Sequence, residues 1–456
     1  MNSITDMTQG NSLKLILRFT APLLIGNLFQ QLYNMVDSVV VGNYVGANAL
    51  AAVGACGSIN FLFFSLSSGL AIGIGIMIAQ YFGAKQEELI SKTIMNGTYL
   101  LTAASIVVSF ICYFMAPQIL GLLGTPDEII MDSVTYLRTI SIGIIAVALY
   151  NGVASVLRAL GDSKTPLYFL ILSSIVNVVL DLVFVLYFHM GVFGVGFATV
   201  IAQFASAITS VIYACMKVPY FRINANNRRV DRDIIVKAFT LGMPVALQNS
   251  MIAISCIVLQ GVVNSFGATV MATYTIIGRI EQIVQQPYSS LGTALTNYAG
   301  QNIGAGKIDR VKKGYHQCVW IVAVFSIILI PIAYLFGGQI IGFFVKDPEV
   351  IEMGKLALRL DSICYFGLGM IYIPRALLNG AGDTAFAMIN GVTEVVCRIL
   401  YSQVLTRIPV LGHWAVWITT AATWCTTAIV CVARYISGVW KRKAINQKKG
   451  RKRDNR

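Results

Sequence analysis

Twelve apolar stretches separated by polar connections make up most of the 456-residue chain. Nearly all of them exceed the roughly 20 residues that an α-helix needs to cross about 30 Å of hydrocarbon. The pattern therefore predicts twelve membrane-spanning helices. Their predicted limits are 15–42, 50–81, 93–115, 134–158, 166–188, 194–216, 237–265, 270–299, 314–336, 356–378, 385–405 and 414–439.

The second six stretches repeat the first six. Gly161 and Asp162 recur as Gly382 and Asp383, and the offset is 382 − 161 = 221. Further pairs at about this offset are Pro22 and Pro244, Gln80 and Gln301, Pro126 and Pro348, and Arg138 and Arg359. Because each copy holds an even number of spans, both copies enter the membrane from the same side and form two lobes of one all-α membrane domain. The predicted limits are 1–216 for the first lobe, 217–236 for a cytoplasmic linker, 237–440 for the second lobe and 441–456 for a basic tail.

Composition supports a membrane protein, because hydrophobic residues make up 56% of the chain and charged residues only 12%. Soluble domains carry roughly 25% charged residues. The first apolar stretch is long and contains Asp37, so we expect it to remain as the first span rather than to be cleaved as a signal. The nine cysteines lie singly, and we interpret them as packing residues, with redox or metal chemistry as the alternative.

A formal charge of +14 is compatible with nucleic acid binding, but Lys and Arg collect in alternate connections, as the positive-inside rule requires. The basic positions are Lys85, Lys92, Lys164, Arg222, Arg228, Arg229, Arg232, Lys307, Arg310, Lys312, Lys313 and the tail. The connections at 43–49, 189–193 and 266–269 have no Lys or Arg, and 117–133 is acidic. We therefore expect a plasma membrane protein with both termini in the cytoplasm and no nucleic acid partner. The tail is expected to lie near anionic lipid, with RNA or a protein partner as the alternative.

Two acids inside the first lobe require an explanation, because an ionised carboxylate near the middle of a membrane helix costs about 2.5 to 3.5 kcal/mol. Asn177 and Asp181 are four residues apart and so lie one turn apart on one face of a helix. A rise of about 1.5 Å per residue places Asn177 and Asp181 in the outer half of the membrane. Asp37 and Thr199 fall in the same half. The oxygens of these four residues suit a small hard cation, and the two carboxyl groups could instead share one proton. Acids satisfied by neighbouring hydroxyls, with no transported ion, are the structural alternative.

Several motifs together resemble the multidrug and toxic compound extrusion (MATE) family over the whole chain. They are P-L-L-I-G-N at 22–27 with Asp37, A-Q-Y-F-G-A-K at 79–85 and its echo G-Q-N-I-G-A-G-K at 300–307, R-A-L-G-D-S-K-T-P at 158–166 and its echo N-G-A-G-D-T at 379–384, and Asn177 with Asp181. The resemblance implies the multidrug-oligosaccharidyl-lipid-polysaccharide exporter fold, with two six-helix bundles around a central cavity. It also implies export of organic, often cationic, compounds in exchange for H⁺ or Na⁺ by alternating access.

The resemblance also implies roles for particular residues. The positions matching Asp37, Asn177, Asp181 and Thr199 form the cation site of the amino-terminal lobe in such proteins, with Na⁺ as the possible metal. Pro22 lets the first span bend when this site changes occupancy. Since proline removes a backbone hydrogen bond in any helix, a simple packing kink is the alternative.

The second lobe departs from the family pattern. Some members use an Asp like Asp361 together with a Glu on span seven, but that region here reads Gln248-Asn249-Ser250, which leaves a second ion site open to question. Glu394 precedes Arg398 by four residues, the favourable order for an intrahelical ion pair. Glu281 has no such partner on its own helix and is predicted to face the cavity.

The residues predicted to line the substrate cavity are polar or aromatic, and so suited to water and to a flat cation. They are Gln30, Gln31, Tyr33, Asn34, Asn151, Glu281, Gln282, Tyr288 and Asp361, with contact to a neighbouring helix as the alternative for each. The expected partners are drugs, toxic organic cations and membrane lipid, and we expect a monomer without a cofactor.

Other functional classes fit less well. Gly304-Ala-Gly-Lys307 lacks the first glycine and the Ser or Thr of a phosphate-binding loop, and the three histidines are too scattered for a metalloenzyme. The closest alternative is a flippase for a lipid-linked oligosaccharide precursor on the same fold. Such proteins favour a cationic cavity for pyrophosphate, whereas the intramembrane charges of the first lobe are mainly acidic.

Overall fold

A computed structural model describes residues 4–222 and 228–443. Within these ranges the chain folds into thirteen α-helices and forms no strand. The helices are α1 (Ser12–Val40), α2 (Ala47–Ala55), α3 (Gly57–Gly83), α4 (Glu87–Leu122), α5 (Asp127–Ala159), α6 (Lys164–Leu182), α7 (Gly191–Lys217), α8 (Arg232–Asn264), α9 (Ala268–Gly304), α10 (Ile308–Gly342), α11 (Pro348–Gly380), α12 (Ala385–Leu405) and α13 (Ala415–Ile436). Residues 223–227 of the predicted linker and the predicted tail after residue 443 lie outside the described residues.

The observed helices contain most of the predicted spans and extend beyond them, since a helix continues past the apolar core into its polar flanks. The second predicted span is divided at Cys56 into α2 and α3, and together these count as one apolar run. Ten helical runs of the described chain are long and apolar enough to cross a membrane. The helices α9 and α12 fall outside that set, and each carries a buried or half-buried Glu within its length, Glu281 and Glu394.

The helices form two compact units, each with its own packing centre. Unit 1 contains Ala21–Ala246 and the described residues up to Asp6, and unit 2 contains Met7–Thr20 and the described residues from Leu247. In unit 1, α5 packs against α3, α4 and α7. In unit 2, α11 packs in the same way against α9, α10 and α13. The repeat in the sequence is therefore a repeat of helix packing.

The division between the units falls inside two helices, next to a proline in each. Unit membership changes between Thr20 and Ala21 in α1, beside Pro22, and between Ala246 and Leu247 in α8, two residues after Pro244. Proline lacks the N–H that would bond to the carbonyl four residues earlier, so the backbone ladder is interrupted at these points. The first third of α1, Ser12–Thr20, therefore packs with the second half of the sequence, and the first half of α8, Arg232–Ala246, packs with the first half of the sequence.

Candidate functional site

The carboxyl groups of Asp37 on α1 and Asp181 on α6 lie within hydrogen-bonding reach of each other. Asp181 is 1% exposed and Asp37 is half-buried. In the described part of the chain, the Oδ1 atom of each acid is buried without a hydrogen-bond partner. Two adjacent carboxyl groups with free oxygen atoms form a place where a proton or a small cation would be stabilised.

Asn177 connects this pair to Thr199 on α7. The amide orientation that satisfies both of its ends has Nδ2 donating to Asp181 Oδ2 at 3.1 Å and Oδ1 accepting from the Thr199 N–H at 3.3 Å. Asn177 therefore holds one oxygen of the Asp181 carboxyl group and links it to the backbone of α7.

Two tyrosines complete the surroundings of the acid pair. Tyr33 on α1 and Tyr136 on α5 both lie within electrostatic range of Asp37 and Asp181. Tyr33 was predicted from the sequence to line the cavity. Tyr136 was missed, because a single tyrosine in an apolar helix carries no signal that separates it from a packing residue.

Both acid-bearing helices change geometry directly after the acids. A π-helical turn, Val41–Val45, follows α1 four residues after Asp37, and a second, Val183–Tyr187, follows α6 two residues after Asp181. These two turns pack against each other. Such turns are wider than the α-helix and often occur at functional sites. Here they shape the backbone around the acid pair.

Unit 2 contains a different acid pair. The carboxyl groups of Glu281 on α9 and Asp361 on α11 lie within hydrogen-bonding reach of each other. Asp361 is fully buried, and neither of its carboxyl oxygens has another partner among the described residues. The sequence placed both residues in the cavity but did not predict that they meet.

The predicted ion pair between Glu394 and Arg398 is confirmed. Arg398 Nη2 donates to Glu394 Oε1 at 3.3 Å, and Nη1 donates to Cys256 Sγ at 3.1 Å. Both charged side chains are at least nine-tenths buried. Arg398 also lies within electrostatic range of Glu281, so it supplies a fixed positive charge inside unit 2.

The repeat does not reproduce the first acid pair in unit 2. Arg398 stands at the position of Asn177 (398 − 177 = 221), and Ser402 stands at the position of Asp181 (402 − 181 = 221). The helices concerned, α6 and α12, begin at Lys164 and Ala385, which are separated by the same offset. The two units therefore share a helix arrangement but carry different chemistry at matching positions.

The remaining predicted residues are divided between the two units. In unit 1, Gln30 and Gln31 are half-buried, Asn34 is exposed, and Asn151 is 8% exposed with Nδ2 unpartnered among the described residues. In unit 2, Gln282 is exposed. Tyr288 is 1% exposed, and its hydroxyl lies 2.8 Å from Ser326 Oγ. The Tyr288 hydroxyl is therefore already bonded inside its own unit.

Known proteins match both the sequence and the fold. The MatE family profile matches residues 22–183 and again residues 244–404. The probable multidrug resistance protein YoeA of Bacillus subtilis is 29% identical over 444 residues, which cover 94% of each chain. The probable multidrug resistance protein YpnP of the same organism is 31% identical over 414 residues, 91% of each chain. A solved multidrug resistance MATE family transporter of the MOP superfamily, in an outward-facing conformation, has a TM-score of 0.90 at 22% identity, covering 97% of this chain and 99% of that chain. The predicted all-helical fold is confirmed by this structural match.

Proposed function

The chain belongs to the MatE family, whose members are membrane transporters rather than enzymes, and from this premise we propose that it exports organic compounds, often cationic, in exchange for H⁺ or Na⁺. The observation that carries the proposal is the contact between Asp37 and Asp181, joined by Asn177 to Thr199. The names of the relatives YoeA and YpnP refer to multidrug resistance, which supports drugs as the substrate class. The exchanged ion is cargo, so the proposal requires no cofactor.

Coupling rests on the oxygens of the acid pair. Without an ion, Asn177 donates to Asp181 and holds its carboxylate. A metal ion would draw the amide oxygen of Asn177, a carboxylate oxygen of each acid and the hydroxyl of Thr199 toward itself, since hard cations prefer oxygen ligands. A proton would need only the two carboxyl groups. In either case the bound positive charge reduces the repulsion between the carboxylates of Asp37 and Asp181. This changes the relative stability of the inward-open and outward-open states.

The interruption of α1 at Pro22 is the feature through which ion binding at Asp37 would change the conformation of the transporter. Asp37 lies on the part of α1 that belongs to unit 1. Pro22 interrupts the backbone hydrogen bonds of α1 close to the point where the helix passes from unit 2 to unit 1. A helix that bends at a proline can change angle at a small energetic cost. We propose that occupancy at Asp37 alters this bend during alternating access.

The membrane potential limits the exchange stoichiometry. Inward movement of one positive charge across 100 mV supplies about 2.3 kcal/mol, which sustains a roughly 40-fold gradient of an uncharged substrate. One-for-one exchange with a monovalent organic cation cancels this electrical contribution. A cationic drug would therefore need a chemical ion gradient or more than one ion. A plasma membrane location with both termini cytoplasmic, and a monomeric state, stay predictions.

Uptake of the organic cation ethidium into inverted membrane vesicles tests the proposal, with Na⁺ and pH gradients imposed separately. A lumen rich in Na⁺ or protons is expected to accelerate uptake by the wild type. Asp37→Asn and Asp181→Asn are expected to lose most of this acceleration. Asp127→Asn is the matched control, because Asp127 is an exposed acid in the first turn of α5, outside the site.

Two outcomes contradict the proposal. One is gradient-driven uptake by Asp37→Asn that equals uptake by Asp127→Asn at equal protein levels. The other is a wild type that responds to neither gradient with any organic cation, which favours the flippase alternative.

A further inference from the structure

The amino-terminal segment Met7–Ser12 is tied into unit 2 by its backbone. The Met7 N–H donates to Gln301 Oε1 at 2.8 Å, and Asn302 Nδ2 donates to the Met7 carbonyl at 3.1 Å. Lys307 Nζ donates to the Thr8 carbonyl at 2.9 Å. Contacts to backbone atoms hold the path of a segment whatever its side chains are. Met7–Ser12 therefore occupies a defined docking site in unit 2.

Arg310 is the central member of the dock. Its Nη1 donates to the Gly10 carbonyl at 3.0 Å, and its Nη2 donates to the Met7 carbonyl at 3.3 Å. Its Nε donates to Asn302 Oδ1 at 3.1 Å, which fixes the orientation of that amide. We call Gln301, Asn302, Lys307 and Arg310 the docking cluster. Three of these four residues lie in the motif G-Q-N-I-G-A-G-K, to which the transport mechanism above gives no role.

The first turns of α1 continue the attachment through side-chain packing. Ser12, Ile16 and Phe19 are each at most 3% exposed, and their spacing places them on one face of the helix. Tyr298 Oη lies 2.7 Å from Ser12 Oγ. A Cβ at Gly314 would lie 2.5 Å from Tyr298 and 3.3 Å from Ile16, so a glycine at this position of α10 allows the close approach. The first third of α1, Ser12–Thr20, is therefore held along its whole length.

The first half of α8 has a matching attachment in unit 1, although the chemistry is different. Asn96 on α4 accepts from the Asp231 N–H at 2.7 Å and donates to the Arg229 carbonyl at 3.3 Å, and the Tyr99 hydroxyl donates to the Arg228 carbonyl at 3.2 Å. In both repeats, the segment before a proline-interrupted helix is held by hydrogen bonds to its backbone N–H and carbonyl groups. The attachment therefore recurs with the repeat and is not a feature of the amino-terminal segment alone.

Resting on the proposed ion coupling, we propose that the docking cluster anchors the start of α1 to unit 2, so that displacement of unit 2 is transmitted along α1 to Asp37. Asp37 lies 17 residues beyond Thr20 (37 − 20 = 17), about 25 Å along the helix at 1.5 Å per residue. A lever of this length transmits motion only when its near end is fixed. Asn302 and Arg310 are thus positioning residues, which act on transport through the path of α1.

The variant Asn302→Ala/Arg310→Ala tests the anchor, and Lys312→Ala is the matched control. Lys312 is a basic residue on the same helix as Arg310, and its partner Asp309 is exposed. Hydrogen–deuterium exchange measures release of residues 7–12, and Na⁺ or proton binding measures the integrity of the acid pair. The double variant is expected to exchange these amides about tenfold faster. The ion affinity of the double variant should stay within about twofold of the wild-type value. The maximal rate of ion-driven ethidium transport should fall about tenfold, with little change in the ethidium concentration at half-maximal rate.

Three results would overturn the proposal. The first is hydrogen–deuterium exchange of residues 7–12 that is unchanged in the double variant. The second is faster exchange in a double variant that still transports at the wild-type rate. The third is loss of ion binding together with transport, because that result would indicate a merely structural role for the cluster. If the wild type shows no ion-driven transport, the antiport proposal fails instead. The exchange comparison then still decides whether the cluster holds the segment, because it depends on no ion or substrate.

Discussion

Asn177 and Asp181 lie one helical turn apart on α6, and the Asn177 amide nitrogen donates to Asp181 Oδ2 at 3.1 Å. A Na⁺ ion at the acid pair would use the amide oxygen of Asn177 as a ligand, whereas a proton would need only the carboxyl groups. The pair is therefore the most direct place to ask which ion is exchanged.

Replacement of Asn177 by Ala should separate the two candidate ions. A Na⁺ ion would lose an oxygen ligand, so the Na⁺ concentration for half-maximal transport should rise about ten- to hundredfold, from about 1.5 to 3 kcal/mol per bond to a charged group. For protons the direction reverses, because the carboxylate loses a donor that competes with protonation, and a lower proton concentration should suffice. Titration of vesicle transport with each ion checks this. Asn48→Ala, at an exposed amide on α2, is the control, and equal curves for the two variants would remove Asn177 from the site.

Replacement of Glu394 by Gln should destabilise unit 2. The variant removes the negative charge that faces the buried guanidinium of Arg398, and breaking a buried ion pair typically costs about 3 to 5 kcal/mol. Thermal unfolding in detergent should show a clear fall in midpoint. Glu394→Gln/Arg398→Met should recover part of the loss, since both charges are removed. A double variant less stable than the single variant would contradict this account.

Replacement of Pro22 by Ala should slow transport without weakening ion binding. Alanine restores the N–H that bonds to the carbonyl four residues earlier, so the interruption in α1 closes and the helix resists bending. Transport rate and ion affinity are measured on the same preparation. Pro331→Ala is the control, because Pro331 interrupts α10 away from the division between the units. Equal transport rates for the two variants would leave the kink without a role in the cycle.

Replacement of Gly73 by Ala should destabilise unit 1, where α3 meets the first half of α8. A Cβ at Gly73 would lie 2.6 Å from the Gly242 nitrogen and 2.7 Å from the Ala238 carbonyl oxygen. Overpacking of this kind typically costs about 1 to 3 kcal/mol. Gly54→Ala is the control, since a Cβ there has no atom within 4 Å among those described. Thermal unfolding that is equal for both variants would show that the helices can separate freely.

The sequence predicted the helical spans well because the signal for a span is local. A run of apolar residues long enough to cross the bilayer must form a helix, since lipid offers no partner for an exposed backbone. The repeat offset gave the grouping of helices, and the spacing of Asn177 and Asp181 gave one face of α6. The contact between Asp37 and Asp181 followed only from family resemblance, as the two residues are far apart in the chain.

Other features could not be derived from the sequence. The meeting of Glu281 with Asp361 depends on how α9 and α11 are rotated, and no repeat partner of either residue marks it. The break at Cys56 and the π-helical turns after the acids also lack a local pattern that separates them from a continuous helix.

A membrane-embedded helical repeat with acids inside its spans could be read from the residues alone, because hydrophobicity, periodicity and repeat offset are properties of the chain. The three-dimensional fold was needed to show which acids face each other, that the Arg398 guanidinium contacts Cys256 as well as Glu394, and that α1 and α8 each belong to both units. These relationships depend on contacts between residues distant in the chain, which are set by the rotation and packing of whole helices.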